Sequence, residues 1–193
     1  NYEANNTTEY KKEPTSELFG ALGYLTEINL FKRTKNNSSH TLTPKVLLRY
    51  APGHMRNQND GPRLNHFNAF SLDRLNIYNN FENGASTTLG FEYEIDNKNS
   101  KLDFSLAQIV NEKENKDMPS TTSLDEKLSD VIGYTKYSFF DNKASINYNY
   151  ALDQNYKDLN YNELETKIDL NPIKFDFGFL QEKKHIGSQE YFK

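Results

Sequence analysis

At 193 residues, the chain is the length of one domain; it has a formal net charge of −4 and neither cysteine nor tryptophan. The lack of Cys excludes a disulfide scaffold, and the mild acidity argues against nucleic acid, whose binders gather Lys and Arg on one face. No run of about 18 apolar residues is present to make a transmembrane helix.

Residues 1–17 are polar, with Asn5, Asn6, Lys11, Lys12 and Pro14, and read as loop. No basic stretch followed by an apolar run marks a signal peptide there. A first strand is expected through Leu22, Tyr24, Ile28 and Leu30, then a polar turn from Thr34 to His40. A second strand covers Leu42 to Tyr50, with Pro44 tolerated near its start. Residues 51–84 hold Pro52-Gly53, Asp60-Gly61-Pro62 and Asn83-Gly84, all turn signals, and read as one long loop that folds locally. Further strands are expected at 85–96, 101–110, 128–140, 143–153, 158–170 and 172–182, and a ninth could begin after a polar stretch at 183–189.

Four of these segments alternate with few errors. Leu89, Phe91, Tyr93 and Ile95 interleave with Gly90, Glu92, Glu94 and Asp96. Ile146, Tyr148 and Tyr150 alternate with Asn147 and Asn149; Ile173, Phe175, Phe177 and Phe179 with Lys174, Asp176 and Gly178; Leu42, Val46, Leu48 and Tyr50 with Lys45 and Arg49. Side chains of a strand alternate between two faces, so each segment has one apolar and one polar face. A soluble sandwich turns the apolar face inward, whereas a membrane barrel turns it outward toward lipid. The 13 Tyr and 13 Phe suit the aromatic girdles of the second, and also occur in soluble β-proteins.

The connections favour the barrel. From residue 97 they run short, long, short, intermediate, short, so an up-and-down meander puts 97–100, 141–142 and 171 at one end. The loops 51–84, 111–127 and 154–157 then share the other end, the pattern of periplasmic turns and extracellular loops. The expectation is an all-β, antiparallel up-and-down meander of about eight strands, part of a larger transmembrane outer-membrane β-barrel. Residues 1–193 form a partial barrel domain with 51–84 and 111–127 as extracellular-type loops. Leu89, Phe91, Tyr93, Ile95, Ile146, Tyr148, Tyr150, Ile173, Phe175, Phe177 and Phe179 would face lipid; Lys45, Arg49, Glu92, Glu94, Asn147, Asn149, Lys174 and Asp176 would face the lumen. An open sheet in lipid leaves backbone groups unpaired at its edges, so the chain reads as a piece of the barrel.

Candidate chemistry is sparse. Glu92 with Glu94, Glu163 with Glu165, or Asp176 could act as acid–base carboxylates, since residues two apart share a face at roughly 6–7 Å. A charged lumen wall explains them equally. His40, His54, His66 and His185 are scattered through predicted loops with no metal-ligand spacing and read as surface histidines. Residues 111–127, rich in Glu and Lys, read as a solvated, mobile loop. No nucleophile, cofactor box or metal site is found, and no catalysis is expected.

Several strings resemble the barrel of the LPS-assembly family LptD. Leu42-Thr43-Pro44-Lys45 through Leu48-Arg49-Tyr50-Ala51-Pro52-Gly53 is similar to that family's strand and loop entry. Asn68-Ala69-Phe70-Ser71-Leu72-Asp73-Arg74 resembles its Phe-containing loop segment ending in Arg, and Gly84 to Tyr93 its next strand. Ser105-Leu106-Ala107-Gln108-Ile109 resembles a strand ending in a Gln motif, with Ala107 where the family usually has Gly. Leu128-Ser129-Asp130-Val131-Ile132-Gly133 resembles the Ser-Asp-apolar-apolar-Gly strand start. The strings follow the family's order; its signal peptide, jelly-roll domain, cysteines, first strands and closing strands are missing, and no gate residue can be carried over. The resemblance implies lipopolysaccharide transport at the cell outer membrane, with a lipoprotein plug, LptE, inside the barrel, periplasmic Lpt bridge proteins as partners, and outer-membrane lipid around it. A generic porin-like or adhesin-like barrel, and a soluble carbohydrate-binding β-sandwich, remain as alternatives.

Overall fold

The computed structural model describes residues 19–35, 37–77, 80–183 and 189–192. Ten strands form one sheet: β1 (Leu22–Glu27), β2 (Leu30–Arg33), β3 (Ser39–Ala51), β4 (Gly84–Asn97), β5 (Ser100–Asn111), β6 (Val131–Phe139), β7 (Ala144–Leu152), β8 (Leu159–Leu170), β9 (Ile173–Glu182) and β10 (Gln189–Phe192). Neighbours follow sequence order from β3 to β10, and every pairing is antiparallel. Among the described residues there is no second sheet, so a two-sheet sandwich is not the architecture. The sheet is open, with β1 and β10 at its edges.

The expected eight strands became ten for two local reasons. The segment read as one first strand is split at Ile28 and Asn29, although β1 and β2 keep one continuous register on β3. The split lies opposite Pro44, which has no N–H to give. Its carbonyl still accepts from the Ile28 N–H at 3.3 Å, so the missing donor faces the edge strand and spares the ladder with β4. Pro44 thus sits inside β3, not at its start, at the cost of one edge bond. The second reason is β10, a short strand on β9.

The turns divide by end. Asn97 pairs directly with Ser100, and Leu170 with Ile173. Between β6 and β7, Phe140, Asp141 and Asn142 take three successive left-handed conformations at φ 53°, 55° and 66°, which Asp and Asn tolerate better than most residues. The connections 52–83, 112–130 and 153–158 all lie at the opposite end.

The segment read as a solvated loop, 111–127, is instead anchored. Met118 and Leu124 are buried, Thr122 and Ser123 lie in a 3-10 turn and its cap, and Gln58 N–H donates to Asp117 O at 2.9 Å. Glu112, Lys113, Glu114, Lys116 and Lys127 are exposed while its few apolar residues join Met55, Leu64, Ala69 and Leu75 of the long loop. This cluster sits on Ala107, Ile109, Ile132, Ala151 and Tyr161 of the sheet. The core is therefore made between one face of the sheet and its own two loops.

Gly90 is where loop and sheet come closest. A Cβ there would stand 2.4 Å from Leu106 O, 2.9 Å from Phe70 Cζ and 3.0 Å from Ala107 Cβ. Ala107, opposite Gly90 in the register, fits because Gly90 leaves it room. Gly90→Val is expected to push Phe70 out and lower stability by about 1–3 kcal/mol, read as a lower urea midpoint in detergent.

Candidate functional site

Directly paired residues in an antiparallel ladder share a face, so the registers sort every strand residue. One row runs Thr43, Glu92, Ser105, Tyr134, Asn149, Glu163, Leu180; the neighbouring row on the same face runs Thr41, Glu94, Asp103, Lys136, Asn147, Glu165, Gly178. Lys45, Arg49, Lys174 and Asp176 lie on this same face. The other face carries Leu89, Phe91, Tyr93, Ile95, Ile146, Tyr148, Tyr150, Ile173, Phe175, Phe177 and Phe179.

The apolar face is uncovered by the rest of the described chain. Leu89 is 50% exposed, Phe175 51% and Ile173 65%. Aromatic rings meet laterally along it, Phe91 with Phe104 at 5.7 Å and Tyr148 with Tyr150 at 5.5 Å. His40, expected in a turn, lies in β3 on this face and meets the Tyr93 hydroxyl at 2.8 Å.

The polar face has two halves. Toward the tight turns it is charged and wet: Lys45 reaches Glu92 at 2.7 Å and Glu27 at 3.7 Å, and Lys101 reaches Asp103 at 2.9 Å and Glu94 at 3.5 Å. Asn149 donates to Glu163 at 3.0 Å, and Lys174 pairs with Asp169 at 3.1 Å. Of the candidate acid–base carboxylates, Glu92 and Glu94 each hold a lysine, and Glu163 accepts from Asn149 and the Tyr161 hydroxyl. Among the described residues no group of three His, Cys, Asp or Glu is placed to hold a metal.

Toward the loops the same face is roofed by residues 51–84. At β3 and β4, Glu82 is buried between two guanidiniums: Arg74 donates from Nε at 2.7 Å and from Nη2, and Arg49 lies at 3.8 Å while donating to Leu72 O and Glu82 O. At β8 and β9, Arg63 donates to Glu182 Oε1 at 2.8 Å and lies 3.7 Å over the Tyr161 ring. In between, Thr88 donates to Ala69 O at 3.1 Å. His66 stacks on Tyr134 at 4.2 Å, half-buried and not at the surface as its loop position implied. His54 stays in the loop region, and His185 lies outside the described residues, as does the 1–17 segment.

Arg63, Glu82 and Glu182 were not singled out in the sequence, and His66 and Arg74 were noted there without these roles. A signal was present: Leu47-Leu48, Ile109-Val110 and Val131-Ile132 break the alternation, making both faces apolar at the loop end. The short strings also acquire physical roles. Ser129 Oγ accepts from the Ile109 N–H at 2.9 Å, continuing the β5 ladder past its last β6 pair, and Gln108 donates to Ser129 O at 3.0 Å. Asp130 accepts from Asn160 at 2.8 Å.

An open antiparallel meander with an uncovered apolar face, a polar face and its long loops at one end has the build of a wall segment of a membrane β-barrel. The chain matches the model of the family LptD, LPS transport system D, over residues 4–189, and it belongs to that family of outer-membrane lipopolysaccharide transport proteins. A search of curated proteins finds no match.

Two outcomes test the roof. Glu82→Ala leaves two buried guanidiniums without their shared carboxylate and is expected to weaken loop docking by about 3–5 kcal/mol, seen as faster protease cleavage within 51–84. His66 tests it by pH. Burial holds its imidazole below the ordinary 6.5, against a smaller upward pull from Glu92. The undocked loop then binds a proton first, so docking is at full strength above 6.5 and weakens as pH falls through that value. Cleavage within 51–84 should rise on acidification, and His66→Phe, which keeps a ring on Tyr134, should flatten that rise.

Proposed function

We propose that this chain is part of the barrel wall of the outer-membrane translocon that inserts lipopolysaccharide into the outer leaflet. Leu89, Phe91, Tyr93, Ile95, Ile146, Tyr148, Tyr150, Ile173, Phe175, Phe177 and Phe179 face lipid; Lys45, Arg49, Glu92, Glu94, Asn147, Asn149, Lys174 and Asp176 face the lumen. The observation that carries this reading is the division of one open sheet into an uncovered apolar face and a polar face roofed by its own loops. In water such an apolar surface would drive aggregation; against hydrocarbon it is matched. A sheet in lipid must also close, so further strands cover the edges at β1 and β10.

The mechanism is geometric. A polar lumen accepts the sugar and phosphate part of lipopolysaccharide, while its acyl chains leave sideways into the bilayer. The loops 51–84 and 111–127 lie on the extracellular side and cover the exit. A lipoprotein plug, LptE, within the barrel and periplasmic Lpt bridge proteins are the partners that family membership implies. The chain supplies a path and no catalytic group; the driving force comes from elsewhere. A porin-like barrel would share the two faces, and the family match favours lipopolysaccharide.

Adjacent residues of β7 test the faces. Tyr148→Arg near mid-strand is expected to destabilise the full-length protein in bilayers by about 2–4 kcal/mol, the cost of an arginine against lipid. Asn149→Arg, beside Glu163, should be close to neutral. Equal urea midpoints for the two would overturn the assignment of faces. Depleting the protein should stop new lipopolysaccharide reaching the cell surface, and continued arrival would overturn the transport reading.

A further inference from the structure

We propose that the apolar face holds a groove at the loop end of β3, β4 and β5 that binds an acyl chain of lipopolysaccharide, with a phosphate of the same molecule on Lys127. The proposal rests on the membrane reading above. A cavity of about 690 Å³ lies there. Its floor is Ala85 and Thr87 of β4, small residues between larger neighbours. On one side the register sets Tyr50 against Ala85 and Leu48 against Thr87, both more than half exposed and standing up as a ridge, with Leu22 and Tyr24 of β1 lining the space beyond it. Val110 borders Thr87 on the other side.

Two glycines of the sheet, Gly133 and Gly90, leave no such space. At Gly133 the ring of Tyr150 fills the gap, with its Cζ 2.1 Å from where a Cβ would be. At Gly90, on the opposite face, Phe70 and Ala107 fill it. Above Ala85 and Thr87 the described residues supply no filler, so the lining is mostly apolar and open to the surrounding solvent, which in a bilayer is hydrocarbon. Charge complements this at the top. Exposed Lys127 and Glu112 line the loop end of the groove, held there because Asn111 N–H donates to Lys127 O at 2.8 Å and Glu112 N–H to Ala85 O at 2.9 Å. An anionic headgroup is drawn to the lysine side and kept off the glutamate, an arrangement suited to an amphiphile with a phosphate above its chain. With the loops extracellular, the lipid of that leaflet is lipopolysaccharide.

The test uses the full-length protein in its native outer membrane, with the photo-crosslinking residue p-benzoylphenylalanine in place of Val110 at the groove or of Phe179, on the same face and toward the same loop end but away from the groove. Both should yield lipid adducts, and Val110 should capture lipopolysaccharide in clear excess over Phe179. Ala85→Trp, which fills the floor, should remove the excess. Lys127→Ala should lower it about fivefold, the worth of one lysine near an anionic membrane surface. Equal yields at the two positions, an excess that survives Ala85→Trp, or an excess made of phospholipid would each overturn the groove while leaving the membrane reading in place. No lipid adduct at either position would overturn the membrane reading as well.

Discussion

The register between β3 and β4 governs the rest of the molecule. It runs unbroken from Ser39 opposite Asp96 to Ala51 opposite Gly84, and a slip by one residue would exchange every side chain between the two faces. With it in place, Lys45 meets Glu92 and Glu27, Thr88 lies under Ala69, and Arg49 stands where Glu82 and Arg74 can reach it. A slipped ladder would turn Arg49 outward onto the apolar face, send Leu48 and Tyr50 inward, and leave Glu82 with one guanidinium fewer. The cost of burying an unpaired charge therefore reinforces the same register that the apolar face requires.

The two faces answer to different solvents, and the polar one is itself divided. Its turn end carries ion pairs on a partly exposed wall, worth little each but collectively close to neutral. Its loop end is a small apolar core capped by buried ion pairs. Both the apolar contacts and the ionic anchors hold the same loop, so the roof is fastened by two kinds of interaction with different responses to salt and pH.

Strand order, the segregation of turns and loops, and the alternation of faces were all legible in the sequence, because period two and connection length are local properties. The split of the first strand was not, because Pro44 acts across the ladder on Ile28 rather than on its own strand. The roof was not legible either: Arg63 and Glu182 are far apart in the chain, and the charges of residues 111–127 masked Met118 and Leu124. The paired apolar residues Leu47-Leu48 and Ile109-Val110 were the trace that long-range docking left in local sequence. Among the short strings, Ser129 and Gln108 turned out to carry the β5 ladder past its last β6 pair, a task that alternation alone does not reveal.

The ion pair from Arg63 to Glu182 spans 119 residues. Such a contact cannot form until β4 through β9 have been laid down, since closing so long a loop gains nothing while its far end is unplaced. The long loop can dock on β3 to β5 through Glu82 and Ala69 without that contact, but its far anchor waits for the strand that carries Glu182. The mouth of the wall is therefore fastened at both sides only once that strand is in place.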